Sequence, residues 1–366
     1  MRRLLRSLLL RPVLWASDRF SSRPKRDLIF KALTKLYDTI RSDPGKRGLV
    51  IPLQKDAAKI IIFSDHHKGA KDGSDDFILA EPNYLAALEY YNNNAFTYIC
   101  MGDCEELWEN TLTKVRKSNT ASFEAEQKFI PGNRFVKIFG NHDLYWDNDP
   151  LAAWQLKEIF KEKIKIYEGV ILRITDGEKV IDIFCTHGHQ GDASSDGNWF
   201  SKFFVARIWA PLQAYLLINP NTPAYDKSKK SLHNDIMYQW SSNQQNVLLI
   251  TGHTHQPVFG SLTHLERLYK SFQFAQQEKN TQKILDIQTE IRKRESDFAA
   301  VALDYMSMKP SYFNTGCCCY SDGDITGIEI INGCFRLIKW KTIDESPQRE
   351  VLEEVSLSTL LEELKW

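Results

Sequence analysis

The sequence predicts an α/β fold, on two observations: short apolar runs alternate with helical patterns from Lys59 onward, and the chemically distinctive polar clusters all follow predicted strand ends. In chain order, Lys59–Phe63 reads as a buried strand, Glu81–Asn92 as a helix and Phe96–Met101 as a strand. Asp103–Phe129 is mainly helical, Arg134–Phe139 is a strand and Leu151–Lys163 is a helix. Tyr167–Thr175 and Val180–Cys185 flank a turn at Asp176-Gly177 and read as a hairpin whose second strand runs into Thr186-His187-Gly188-His189. Asn246–Ile250 is a further strand, and Ser311–Trp340 alternates in strand fashion, with turn signals at Ser321-Asp322-Gly323-Asp324 and Asn332-Gly333. Pro347–Leu364 reads as a last helix.

A chain of 366 residues can bury a sizeable core, and the pattern favours one domain with additions. The organisation read from it is an extension over 1–55, a main domain over 56–345 with inserts at about 196–235 and 262–303, and a C-terminal helix over 346–366. Lys plus Arg and Asp plus Glu are both 47, so there is no global basic field to draw in nucleic acid, and a charged ligand must be handled locally. Neighbours in the run Cys317, Cys318, Cys319 cannot pair with one another on a strand, which makes a reducing cytoplasm the simplest setting. Met1–Trp15 alternates arginines with leucines and fits a targeting peptide, an interfacial helix or a plain surface helix. A secretory signal needs an apolar run of about 7 to 15 residues, and here Arg11 and Pro12 break Leu8–Leu10. Arg207 and Pro211 likewise interrupt the best spanning candidate, Phe203–Leu217, so no membrane crossing is expected.

Five clusters carry the chemistry: Ser64-Asp65-His66-His67, Gly102-Asp103-Cys104-Glu105-Glu106, Gly140-Asn141-His142-Asp143, His187-Gly188-His189 and Gly252-His253-Thr254-His255. One Asp-x-His after a strand is most often a capped turn. Five such blocks in order hold seven of the nine histidines, leaving only His233 and His264 outside, and clusters of this kind mark metal or catalytic sites.

The pattern Asp-x-His, Gly-Asp-x-x-Glu, Gly-Asn-His-Asp, His-Gly, Gly-His-x-His resembles the calcineurin-like metallophosphoesterase superfamily over Lys59–Pro257. The resemblance implies a four-layer αββα sandwich with helical insertions and two divalent metal ions between the sheets. It implies that Asp65, His67 and His255 hold the first metal and Asn141, His187 and His253 the second, with Asp103 bridging them. Mixed imidazole, carboxylate and amide donors suit Mn, Fe or Zn. In this superfamily the histidine of Gly-Asn-His contacts the phosphoryl group and can protonate the leaving oxygen, which makes His142 a candidate general acid. Asp143 is the other candidate at the catalytic centre, and Asp143 and Glu106 would orient imidazoles or hold the loops. His66 is expected to point away from its neighbour's ligand position, as a bystander or substrate contact, and His189 competes with His187.

The expected activity is metal-dependent hydrolysis of a phosphomonoester, phosphodiester or pyrophosphate. The alternatives are protein phosphatase-like activity and a non-catalytic scaffold. The early blocks, with Trp108 after Glu106, look most like the branch of UDP-2,3-diacylglucosamine pyrophosphohydrolases, although that branch usually has Arg where this chain has His142. Trp199–Leu217 falls where that branch inserts a lid, and its composition suits either an amphiphilic phosphoester or ordinary packing. The substrate is therefore small or amphiphilic, with peripheral contact at the inner membrane face left open. The sequence sets neither the oligomeric state nor the physiological metal.

Overall fold

The run Lys59–Phe63 has Ile60, Ile61, Ile62 and Phe63 all buried, and a strand without a solvent face must lie between two layers. Successive side chains alternate across it. Ile60 and Ile62 pack with Val170, Leu172, Ile183 and Ile250 of a facing sheet. Ile61 and Phe63 pack with Tyr84, Leu88 and Tyr91 of the helix Glu81–Asn93.

The computed structural model describes residues 24–72, 75–176, 179–191, 227–294 and 307–364. Within them the strands, in chain order, are β1 (Gly48–Leu53), β2 (Lys59–Phe63), β3 (Thr97–Met101), β4 (Phe135–Ile138), β5 (Ile166–Tyr167), β6 (Gly169–Asp176) and β7 (Lys179–Thr186). They continue with β8 (Val247–Thr251), β9 (Val258–Phe259), β10 (Leu262–Thr263), β11 (Tyr312–Asn314), β12 (Ile325–Ile331), β13 (Cys334–Ile343) and β14 (Ser346–Ser356). They form two seven-stranded sheets, ordered β1-β6-β7-β8-β11-β9-β10 and β14-β13-β12-β2-β3-β4-β5. Helices Arg26–Ser42 and Lys227–Ser242 cover the first sheet, with Ile29, Leu33, Ile40, Met237 and Trp240 against Ile171, Phe184 and Leu249. The result is the expected four-layer αββα sandwich. β2, β3 and β4 run parallel in one sheet and β7 and β8 run parallel in the other, so the polar clusters emerge from strand ends in two sets.

One expectation is refined and one is corrected. The part of the 1–55 extension from Arg26 onward belongs to the sandwich: it supplies a covering helix, and β1 pairs in parallel with β6 along the edge of the first sheet. Secondly, Pro347–Leu364 is not one helix. Ser346–Ser356 is β14, paired antiparallel with β13, and only Leu357–Glu363 is helical. The hairpin turns at Asp344-Glu345, both at positive φ (48° and 62°). A two-residue turn of that kind favours Asn-Gly or Asp-Gly, so Asp-Glu gave no turn signal, whereas Asn332-Gly333 did, and β12 and β13 flank it as expected.

The insert begins as helices His264–Gln277 and Thr281–Arg294, the first opened by a Thr263/Glu266 capping box. Arg267 pairs with Glu353 of β14 at 2.7 Å, which ties the insert to the other sheet. Trp199–Leu217 and Met1–Trp15 lie outside the described residues. No helix of the described residues is long and apolar enough to cross a membrane. Cys317, Cys318 and Cys319 are free thiols, but Cys100 and Cys104 are joined by a disulfide.

Buried Glu329 on β12 fastens the second sheet at its β14 edge. Its carboxylate accepts two hydrogen bonds at 2.7–2.9 Å from Arg349 Nη2, and others from Arg336 and the Tyr91 hydroxyl. Removing one partner of a buried ion pair strands the other. Glu329→Ala is expected to destabilise the protein by about 3 kcal/mol, read from urea denaturation. A loss below 1 kcal/mol would place the pair among exposed ones.

Candidate metal centre

Past the strand ends, the loops carrying the first two clusters remain zipped together. Asp65 N donates to Gly102 O (3.0 Å), His67 N to Asp103 O (2.9 Å), Lys68 N to Cys104 O (3.2 Å) and Glu106 N to Lys68 O (3.0 Å). Gly252 N bonds His187 O (3.0 Å) across the β7 and β8 ends, and Cys318 N bonds Asp65 O (3.1 Å). Five of the predicted ligands sit in left-handed backbone: Asp65 (φ 53°), His67 (52°), Asp103 (48°), His253 (68°) and His255 (55°). Asp and His tolerate that region better than most residues, and such outliers gather at functional sites. Two glycines are required by close approach. A Cβ at Gly102 would stand 2.6 Å from the His187 ring, and one at Gly140 would stand 2.2 Å from Asp103 Oδ1.

All seven predicted ligands come together. His67 Nε2 and His255 Nε2 are 3.2 Å apart, and His255 Nε2 is 3.2 Å from Asp65 Oδ1. His187 Nε2 is 3.2 Å from Asn141 Oδ1, and Asp103, His187 and His253 offer donor atoms within 4.8 Å of one another. Asp103 Oδ2 stands between the groups, 3.1 Å from His187 Nε2 and 3.8 Å from His67 Nε2. The rings are oriented from behind. His187 Nδ1 donates to Met101 O (3.2 Å), His67 Nδ1 bonds Glu106 Oε2 (2.9 Å), and His255 Nδ1 faces Cys319 Sγ at 3.7 Å. In each case Nε2 is left facing the carboxylates, the aim that a metal-binding imidazole needs. The donor set fits divalent metal ions.

His142 belongs to the same cluster. Its backbone N–H donates to Asp103 Oδ1 (2.8 Å), its Nδ1 bonds Glu106 Oε2 (2.6 Å), and its ring stacks on Trp108 at 4.3 Å. Asp143 accepts from the backbone amides of Gly140 and Cys104, holding two ligand loops together. His66 is fully buried behind the site, with Nε2 3.2 Å from the Tyr98 hydroxyl and its ring against Tyr84. His189 is buried with its ring 5.4 Å from that of His187, and His187 is the one whose Nε2 meets Asp103.

Several contributors lacked a sequence signal. His233, outside every cluster, bonds Gly188 O through Nε2 (2.9 Å) and sets its ring 5.1 Å from that of His253. Asn314 Nδ2 bonds Gly252 O (2.7 Å) and Thr254 Oγ1 (3.2 Å), while Asn234 Oδ1 accepts from Thr254 and Tyr312. This network holds the turn between His253 and His255. Trp108 was visible in the sequence, but its stacking on His142 was not.

The sequence profile of calcineurin-like phosphoesterases matches residues 58–257, more than half of the chain. The chain belongs to that family. Among solved structures it is similar to vacuolar protein sorting 29 from Cryptosporidium parvum (12% identity, TM-score 0.33, covering 82% of this chain and 98% of that one). A single mutant of Vps29 from Entamoeba histolytica is similar as well (14% identity, TM-score 0.30, covering 80% and 98%). No curated protein sequence matches the chain.

Burial disfavours charge on His67, but the Glu106 hydrogen bond and the charges of Asp103, Glu106 and Asp65 outweigh it and hold the pKa at about 10. By the same balance Asp103 and Asp65 hold His187 at about 9, and Cys317 and Asp65 hold His255 at about 9. Burial likewise opposes ionisation of Asp103, yet His187 and His142 pull its carboxyl well below the usual range. In the metal-free protein these raised imidazoles stabilise the fold fully below their ordinary value of 6.5 and lose that contribution as pH rises through 9 to 10. A metal must displace those protons. Mn²⁺ affinity is therefore expected to rise from pH 6 to pH 9 with proton release, measured by calorimetry in buffers of different ionisation enthalpy; a flat profile refutes the ligand assignment. Gly140→Ala should weaken Mn²⁺ binding about 10- to 100-fold by displacing Asp103, with the circular dichroism spectrum retained. Undiminished affinity would show that the loop moves freely.

Proposed function

We propose that this protein hydrolyses a phosphoester using two divalent metal ions, one held by Asp65, His67 and His255 and the other by Asn141, His187 and His253, with Asp103 shared. The observation that carries this reading is the position of Asp103 Oδ2 between His67 Nε2 and His187 Nε2, at 3.8 and 3.1 Å. The donor mixture suits Mn, Fe or Zn. Bound there, such ions would supply Lewis-acid polarisation of the phosphoryl oxygens and acidify water.

The chain's own groups do the rest. Burial opposes a charge on His142, but Glu106 and Asp103 outweigh it and raise its pKa, which favours the protonated ring. With Nδ1 engaged by Glu106, Nε2 is the atom from which that proton passes to the leaving oxygen. Stacking on Trp108 fixes the ring plane. Asp143 acts by holding the Gly140 and Cys104 amides, away from the reacting atoms.

The substrate is a phosphomonoester, phosphodiester or pyrophosphate, small or amphiphilic. The resemblance of the early blocks to UDP-2,3-diacylglucosamine pyrophosphohydrolases and the apolar composition of Trp199–Leu217 support the amphiphilic version. That version has the protein working from the cytoplasm in peripheral contact with the inner membrane face. The test is hydrolysis of an aryl phosphomonoester, an aryl phosphodiester and a UDP-sugar pyrophosphate, with Mn²⁺ and after metal removal. Metal-dependent turnover of one class upholds the reading; metal binding without turnover of any ester favours a scaffold. His142→Ala should lower kcat about 10²- to 10⁴-fold at near-normal metal content. Loss of metal in that variant would make His142 a ligand instead.

A further inference from the structure

Cys100 is on β3 and Cys104 directly follows Asp103, so the disulfide between them closes a ring around Met101, Gly102 and Asp103. Both cysteines are fully buried, with Cα atoms 6.8 Å apart. Inside this ring Gly102 (φ 81°) and Asp103 (φ 48°) hold left-handed backbone. The same short stretch supplies the carbonyls of Gly102, Asp103 and Cys104 that dock the amides of Asp65, His67 and Lys68. It also supplies Met101 O, which orients His187, and the Cys104 amide, which Asp143 accepts. The strand end and the residue after the shared carboxylate are thus joined covalently where both metal groups depend on the backbone between them.

We propose that the Cys100–Cys104 disulfide is a clamp that positions Asp103, so that thiol–disulfide exchange at this pair sets the affinity of the metal centre; this rests on the two-metal reading above. The reducing partner is a dithiol: it gives up two electrons and two protons, becomes a cyclic disulfide, and leaves Cys100 and Cys104 as thiols. A disulfide persists in an oxidising environment and opens in a reducing one, so in the cytoplasm of the reading above the dithiol is the resting state and oxidation tightens the metal centre. The dithiol state frees Gly102 and Asp103 to leave their left-handed conformation, and the bridging carboxylate loses its fixed position. Cys104 and Cys100 are positioning residues here, acting through Asp103.

The experiment uses the full chain, air-exposed or treated with a water-soluble phosphine, which converts the disulfide and one water into two thiols and a phosphine oxide. Denaturing alkylation should count five thiols before treatment and seven after, since Cys185, Cys317, Cys318, Cys319 and Cys334 are free. Reduction should weaken Mn²⁺ affinity about 10- to 100-fold, with kcat largely recovered at saturating Mn²⁺. The double variant Cys100→Ser, Cys104→Ser should bind Mn²⁺ weakly with or without phosphine. Seven thiols before treatment overturns the proposal. So does a lowered melting temperature with unchanged Mn²⁺ affinity, which is what a merely structural bond would give. Should the variant misfold, the wild-type titration decides, and because it reads Mn²⁺ binding it holds even if no ester is turned over.

Discussion

One carboxylate, that of Asp103, lies between two groups of imidazoles, and much of the local structure is arranged around that position. Its Oδ2 lies near His67 and His187, while its Oδ1 accepts the amide of His142, so it also locates the ring proposed as proton donor. Reaching this position puts Asp103 and four other predicted ligands into left-handed backbone, each at a cost on the order of 1 kcal/mol. Zipped backbone hydrogen bonds between neighbouring loops offset that cost. The two sheets supply the frame, since parallel strands deliver their loops to a common edge.

Behind the loops lies a second electrostatic layer. Lys68 and Lys137 are buried and share Glu105, at 3.1 and 2.9 Å, while Lys68 also pairs with Glu126 and Trp146 donates to Glu105 at 2.8 Å. Buried charges are expensive unless paired and hydrogen-bonded, and each carboxylate here meets at least one ammonium. Lys68 follows His67 and Glu105 stands two residues after Asp103, so the network grips the chain next to these predicted ligands. Burial, with Glu105 and Asp103 nearby, pushes Asp143 up to about 6. Its two backbone amides keep it seated nonetheless.

The sequence was most legible where chemistry and strand ends coincide. Asp65, His67, Asp103, Asn141, His187, His253 and His255 each stand in a short polar block after an apolar run, and residue type with spacing sufficed to gather them. Asn314, Asn234, Tyr312 and His233 were illegible because each is a single polar residue whose role exists only through partners far along the chain. β14 was misread for a local reason: Asp344-Glu345 makes a turn normally announced by glycine or asparagine, and the charges after it suit an exposed helix as well as an exposed strand. The place of Gly48–Leu53 in the sandwich was illegible because β1, partly buried at a sheet edge, has no polar cluster to announce it.

β14 has a bearing on association. Among the described residues it is the end strand of its sheet and runs for 11 residues, long enough to template pairing with another chain. Arg349, Glu350, Glu353 and Glu354 line it, and Pro347 near its start has no amide hydrogen to offer. Any incoming strand would have to desolvate these charges, and Arg349 and Glu353 would have to keep their bonds to Glu329 and Arg267. The long open edge thus carries its own protection against edge-to-edge aggregation.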